Sequence, residues 1–201
     1  MVASIVLASG MALSQVAAAD SPTYTIKVLG NLGVAGISEA YDINDSGEVV
    51  GVASGRGTHA FLYKDGQMQD LGTLGGTFSK AWGINNSGQV VGEADTSISS
   101  ARRAFLYSES TGMKDLGALG GVGSSRAHDV NNSGQVVGQV QVTVGGIQHA
   151  FLYSESIGMQ DLNNLIPADS GFVLHEALAI NTDGQIVGWG LDSNDNRRAF
   201  V

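Results

Sequence analysis

The sequence predicts an all-β, propeller-like repeat protein with four blades, each built from four short antiparallel strands. One set of words returns in one order: a run ending in Ile-Asn or Val-Asn, a glycine turn, Val-Val-Gly or Ile-Val-Gly, then Ala-Phe, then Asp-Leu. A short period of this kind marks one supersecondary unit stacked on its own copies. The register confirms it. Gly47, Gly88, Gly134 and Gly184 are separated by 41, 46 and 50 residues, and Phe61, Phe105, Phe151 and Phe200 by 44, 46 and 49. Asp70, Asp115 and Asp161 recur at 45 and 46. Beyond the first twenty residues, no segment keeps an apolar 3.6-residue period for three turns, which removes helical solenoids.

The strands of one unit follow in order. Residues 80–85 (K-A-W-G-I-N) alternate apolar with polar or small, Asn86, Ser87 and Gly88 turn the chain, and residues 89–94 (Q-V-V-G-E-A) resume a β pattern. Glycine at the end of such a link supplies the positive φ of a tight hairpin, and Asn tolerates its neighbour's position. Residues 103–107 (R-A-F-L-Y) form a third strand, and residues 113–117 (M-K-D-L-G) a fourth after a short polar loop. Four short strands in roughly 45 residues is the measure of one propeller blade. The repeats run over residues 24–63, 68–107, 113–153 and 159–201 of a single domain, 20–201.

The ends of the chain predict how the ring closes. Residues 24–30 (Y-T-I-K-V-L-G) match a fourth strand, whereas the last unit has a first (178–181), a second (185–189) and a third strand (197–201) and no fourth. Pairing the two remnants would complete one blade and remove exposed sheet edges. The alternative is an open arc of a larger propeller.

Residues 1–19 are uncharged, rich in Val, Leu, Ile and Ala, and end in three alanines before Asp20. They read as a secretory signal peptide, although no Lys or Arg precedes the apolar run. The expected location is therefore secreted or extracellular, with periplasm or cell surface as variants. The chain has no cysteine, so it has no disulfide staple, and a core of this size does not require one. A net charge of −9 without a basic run argues against nucleic acid and, once the signal is removed, against anionic membrane as partners.

In the order H/R-A-F, D-L-G-x-L-G-G and I-N-x-x-G-x-V-V-G the chain resembles the bacterial extracellular HAF repeat family, over essentially residues 24–201. The name triplet stands at His59, Ala60, Phe61 and again at His149, Ala150, Phe151. Arg103 and Arg198 replace the histidine in two repeats, and residues 163–176 form a long link in the last. The resemblance implies an exported protein of unassigned molecular function, and it carries over no catalytic residue.

The basic position before Ala-Phe (His59, Arg103, His149, Arg198) lies across a hairpin from Asp70, Asp115 and Asp161, an arrangement suited to cross-strand charge pairs that hold register. The residue opening each first strand is Glu39, Lys80, Arg126 or Glu176, preceded by Ser38, Ser79, Ser125 or His175. If the first strands are innermost, these side chains ring the mouth of the array. The candidate ligand-binding residues are Glu39, Lys80, Arg126, His175 and Glu176, on a rim shared with the loops between second and third strands, of which residues 139–148 are the longest.

Chemistry beyond binding has little support. The chain lacks a G-x-S-x-G elbow, an H-E-x-x-H motif, a phosphate loop and a cysteine nucleophile. Residues 192–196 (D-S-N-D-N) open like a calcium loop but lack its glycine and its distant glutamate. The expectation is a non-catalytic binding or scaffold module with no cofactor and no metal. Its partner would be an extracellular glycan, a peptide or an envelope protein. The alternatives are an extracellular glycan hydrolase or lyase, with His175 and Glu176 as its unrepeated His/acid pair, and a structural surface or matrix protein.

Overall fold

The structure is a computed structural model and describes residues 24–33, 36–55, 57–97, 101–121, 123–143 and 146–201. The predicted signal peptide, residues 1–19, lies outside them. The described chain is all-β apart from two short 3₁₀ turns, and it contains no helix long and apolar enough to cross a membrane.

Its strands fall into four consecutive units. The first holds β1 (Ser38–Ile43), β2 (Val49–Ser54), β3 (Thr58–Lys64) and β4 (Gln67–Asp70), and the second β5 (Gly75–Ile84), β6 (Val90–Thr96), β7 (Arg102–Ser108) and β8 (Gly112–Asp115). The third holds β9 (Ser125–Val130), β10 (Val136–Gln141), β11 (Gln148–Ser154) and β12 (Gly158–Asp161). The fourth has β13 (Val173–Ile180), β14 (Ile186–Leu191) and β15 (Arg197–Phe200). Within each unit, successive strands pair antiparallel. One parallel bridge, Thr58 to Phe78, joins the first two units, so there are three sheets, of eight, four and three strands.

Three of the apolar clusters fill joints between consecutive units rather than the inside of one. Val50, Ala60, Leu62 and Leu71 of the first unit pack on Ala81, Ile84, Val90 and Phe105 of the second. Val91, Ala104, Leu106 and Leu116 pack in the same way on Ala127, Val130, Val136 and Phe151, and Val137, Ala150 and Leu162 on Leu174, Ala177 and Ile180. Both faces of the second and third units are thus buried, which explains why apolar residues occur on both sides of the strands. The repeated Ala-Phe word supplies Phe61, Phe105 and Phe151, all fully buried, each contributing about 1.5–3 kcal/mol of hydrophobic stabilisation.

The joints are also hydrogen-bonded at the turns. Asn44 Nδ2 donates to the Asn85 carbonyl at 3.1 Å, Asn85 Nδ2 to the Asn131 carbonyl at 2.9 Å, and Asn131 Nδ2 to the Asn181 carbonyl at 3.0 Å. The same asparagines accept from the backbone of their own turns, as Asn85 Oδ1 does from Ser87 and Gln89. At the opposite end of the strands, Ser79 and Ser125 bridge units: each hydroxyl accepts from an Ala-Phe alanine, Ala60 or Ala104, and donates to the Gly72 or Gly117 carbonyl.

Ring closure is where the structure corrects the expectation. Residues 24–30 form no strand, and none of the three sheets is closed. The segment is held at the first unit instead. Ser38 Oγ donates to the Gly30 carbonyl at 2.6 Å, and Leu29 packs with Ala53, Phe61 and Tyr63. Among the described residues β15 pairs only with β14.

Candidate functional site

The first strands β1, β5, β9 and β13 lie side by side, each touching the next. All four carry a bulge at one equivalent place. Ala40 faces Gly51 and Asp42 faces Val50, so Tyr41 is the extra residue. Trp82, His128 and Leu178 occupy that place in the other units. A bulge re-aims the side chain it carries and recurs where a sheet must present something.

The glycine of Val-Val-Gly is explained by the same bulge. A Cβ at Gly51, Gly92, Gly138 or Gly188 would lie far inside contact with the carbonyl oxygen of Glu39, Lys80, Arg126 or Glu176, and within 2.9 Å of the ring of Phe61, Phe105, Phe151 or Phe200. Glycine at this position lets the bulged strand approach and leaves room for the phenylalanine.

Four of the five candidate residues, Glu39, Lys80, Arg126 and Glu176, open this row, and the bulge residues lie two positions on, close enough to touch them. The Tyr41 hydroxyl donates to Glu39 Oε2. Burial, reinforced by that carboxylate, pushes the Tyr41 phenol up to about 12. Lys80 Nζ sits 4.1 Å from the centroid of the Tyr41 ring and 4.0 Å from that of Trp82, and the two rings are 4.9 Å apart. Arg126 Nε lies 3.1 Å from Glu93 Oε2 and its guanidinium 5.8 Å from the Trp82 ring. His128 Nε2 is 2.9 Å from Glu176 Oε1, whose other oxygen accepts from Trp189 Nε1 at 2.6 Å. A single track of charged and aromatic side chains therefore crosses all four units.

Two groups along the track are unusual. Glu93, opposite Lys80 on β6, is only 3 % exposed and is held between Arg126 and Arg102, the latter at 3.6 Å. Trp82 Nε1 is buried and has no hydrogen-bond partner among the described residues. Beside them, a recess of about 140 Å³ opens between the second and third units, lined by Glu93, Arg102, Ser125, Arg126, Gln139 and Gln148.

His175 stands apart from the row. Its ring stacks on Trp189 with centroids 5.1 Å apart and planes 6° apart, meets His149 edge-on at 6.5 Å, and replaces the bridging serine of the other units. Burial, and then the neighbouring His149, keep its imidazole below the usual value, and burial lowers His128 despite the attraction of Glu176. The Asp192 carboxylate, first in the calcium-like stretch, accepts from the Asn194 and Asn196 amides and faces Arg198, which makes it a turn anchor. Among the described residues, no three His, Asp or Glu side chains come together as a metal-ion group.

Sequence reasoning missed Tyr41, Trp82, His128, Glu93 and Trp189. The signal was present in the repeat itself, where E-A-Y, K-A-W, R-A-H and E-A-L occupy one position. Strict two-residue alternation hides a bulge.

Residues 36–119 and 116–190 each match the family described as Protein of unknown function (DUF3466), so the chain carries that domain twice and belongs to that family. The first copy spans the first two units, and the second spans the third unit and the fourth as far as β14. No curated protein matches the chain.

Proposed function

We propose that this DUF3466 family member is an exported, non-catalytic binding module in which propeller-like blades serve as the frame and the first-strand track holds an extracellular glycan. One observation carries the reading. Ala40, Ala81, Ala127 and Ala177, with the glycines opposite them, are the same in every unit, while the residues on either side of each alanine vary in charge and ring type. Variable side chains on an invariant frame are the arrangement of a recognition surface. The uncommitted Trp82 Nε1 donor, the Trp82 ring and the flanking Lys80, Arg126 and Glu93 offer the mixture of apolar face, donors and acceptors that sugar rings and their hydroxyl or acidic substituents require. Export rests on the leader pattern of residues 1–19 and on the resemblance of the repeats to an extracellular family.

A screen of residues 20–201 against glycans, peptides and envelope components, with a hydrolysis readout on every hit, tests this. The expected result is saturable retention of a glycan without product. Product from any glycan would replace the reading with a hydrolase or lyase, and retention of nothing would leave a structural wall.

A further inference from the structure

We propose that the recess between the second and third units sets specificity along the track, and that it takes the carboxylate of an acidic sugar, a uronic acid residue of the bound glycan. The inference rests on the reading of the first strands as a glycan surface and names the class of glycan that this surface selects.

A second varied row runs beside the first. Glu39, Lys80, Arg126 and Glu176 stand opposite Val52, Glu93, Gln139 and Trp189, each the residue that follows the glycine facing the bulge. Those four in turn stand opposite Ala60, Ala104, Ala150 and Ala199. Opposed residues on antiparallel strands share a face. The frame of glycine and alanine therefore repeats, while the pair it carries changes from acid and valine, to cation and acid, to cation and amide, to acid and indole.

The recess of about 140 Å³ lies where the second of these pairs meets the third. Pockets that enclose a whole ligand measure about 300–1,000 Å³, so this one admits a single substituent and leaves the sugar chain outside, along the first strands.

What lines it selects an acceptor. Arg126 and Arg102 both border the recess, with Glu93 between them, 3.1 Å from Arg126 Nε and 3.6 Å from Arg102 Nη1. Arg102 is already fixed, its Nε donating to Asp95 and its guanidinium 3.9 Å from the centroid of the Phe78 ring. Arg126 is not. Its Nε is buried and has no hydrogen-bond partner among the described residues, so Glu93 neutralises its charge without using that donor. Trp82 Nε1 is in the same condition, and the Arg126 guanidinium lies 5.8 Å from the Trp82 ring.

A buried donor without an acceptor is a standing cost that an incoming acceptor relieves. A carboxylate only accepts, and its two oxygens match the planar fork of arginine. The amides of Gln139 and Gln148 border the same recess and supply further donors. A neutral sugar hydroxyl brings a donor of its own, and the carboxylate there to receive it is Glu93, which already lies between two cations. Glu93 is thus the built-in rival of a ligand carboxylate, and its removal acts on an acidic and a neutral ligand with opposite sign.

The probes are oligomers of galacturonate, of glucuronate and of mannuronate with guluronate, the same oligomers with every carboxyl reduced to a primary alcohol, and oligoglutamate. At least one uronate oligomer should bind roughly tenfold or more tightly than its reduced form. Arg126→Lys keeps the charge but loses the fork, and should abolish that preference. Glu93→Gln removes the competing charge and should strengthen uronate binding roughly threefold or more. Lys114→Gln, a cation removed from β8 outside the recess, should change neither. The preference is a ratio measured within one variant, so partial loss of fold leaves it readable. Equal affinity for a uronate oligomer and its reduced form, weaker uronate binding in Glu93→Gln, or oligoglutamate held as tightly as any uronate would each overturn the subsite. Binding of the reduced oligomers alone would overturn it and leave the glycan surface standing. Binding of no oligomer at all would also overturn it, with the broader glycan screen deciding the surface separately.

Discussion

Asn85 Nδ2 donates to the main-chain oxygen of Asn131 at 2.9 Å, across the joint between the second and third units. The same asparagine donates to Gln89 and accepts two amides of its own turn, so one buried side chain closes a hairpin and couples two units. The Asn-rich turns are thus structural joints as well as tight corners.

Replacing Asn85 or Asn131 by Ala should cost about 2–4 kcal/mol, since each loses several hydrogen bonds and leaves buried groups unpaired. Asn181, exposed, keeps the intraturn bonds but among the described residues its amide donates to no carbonyl of another unit, so Asn181→Ala should cost clearly less. Denaturant unfolding of the three variants checks the order, and equal losses would show that the inter-unit bond contributes nothing.

Gly92→Ala should destabilise by more than about 3 kcal/mol or prevent folding, because the added methyl meets the Lys80 carbonyl, a backbone atom that cannot turn aside. Gly112 has φ +69 and open space around it, so Gly112→Ala carries only the left-handed backbone penalty of about 1–2 kcal/mol. Thermal melts of both variants distinguish a steric requirement from a general preference for glycine.

Protonating His128 should destabilise the fold. Burial lowers its folded-state value below 6.5, so the unfolded chain binds more protons and the contribution is full above pH 6.5. That stability is lost as pH falls through the depressed folded value, at up to about 1.4 kcal/mol per pH unit. His175 is shifted in the same direction and adds to the slope. His128→Gln should flatten the stability curve below pH 6.5, and an unchanged curve would show that His128 is not buried neutral.

Much of the frame was legible in the sequence because each repeated word has a local physical cause. The hairpin turns follow from Asn and Gly. The predicted cross-strand partners meet at His59 and Asp70, 2.9 Å apart, and at His149 and Asp161, 2.6 Å apart. In the last unit Arg198 turns to Asp192 instead, at 3.3 Å. What alternation could not reveal was the bulge that makes Tyr41, Trp82 and His128 neighbours of the charged row. Closure was misjudged because a matching strand pattern in residues 24–30 says what the segment resembles, whereas its position is set by Ser38 and by the apolar face of the first unit.

Both tryptophans of the chain, Trp82 and Trp189, lie in the proposed binding track, so their fluorescence reports on it directly. Titrating a retained glycan into the protein should give a saturable change in emission, with at least a tenfold loss of affinity in Trp82→Phe or Lys80→Ala and none in Lys64→Ala at the β3–β4 hairpin. A glycan that binds without altering either tryptophan, or with equal affinity in all three variants, would contradict recognition along the first strands.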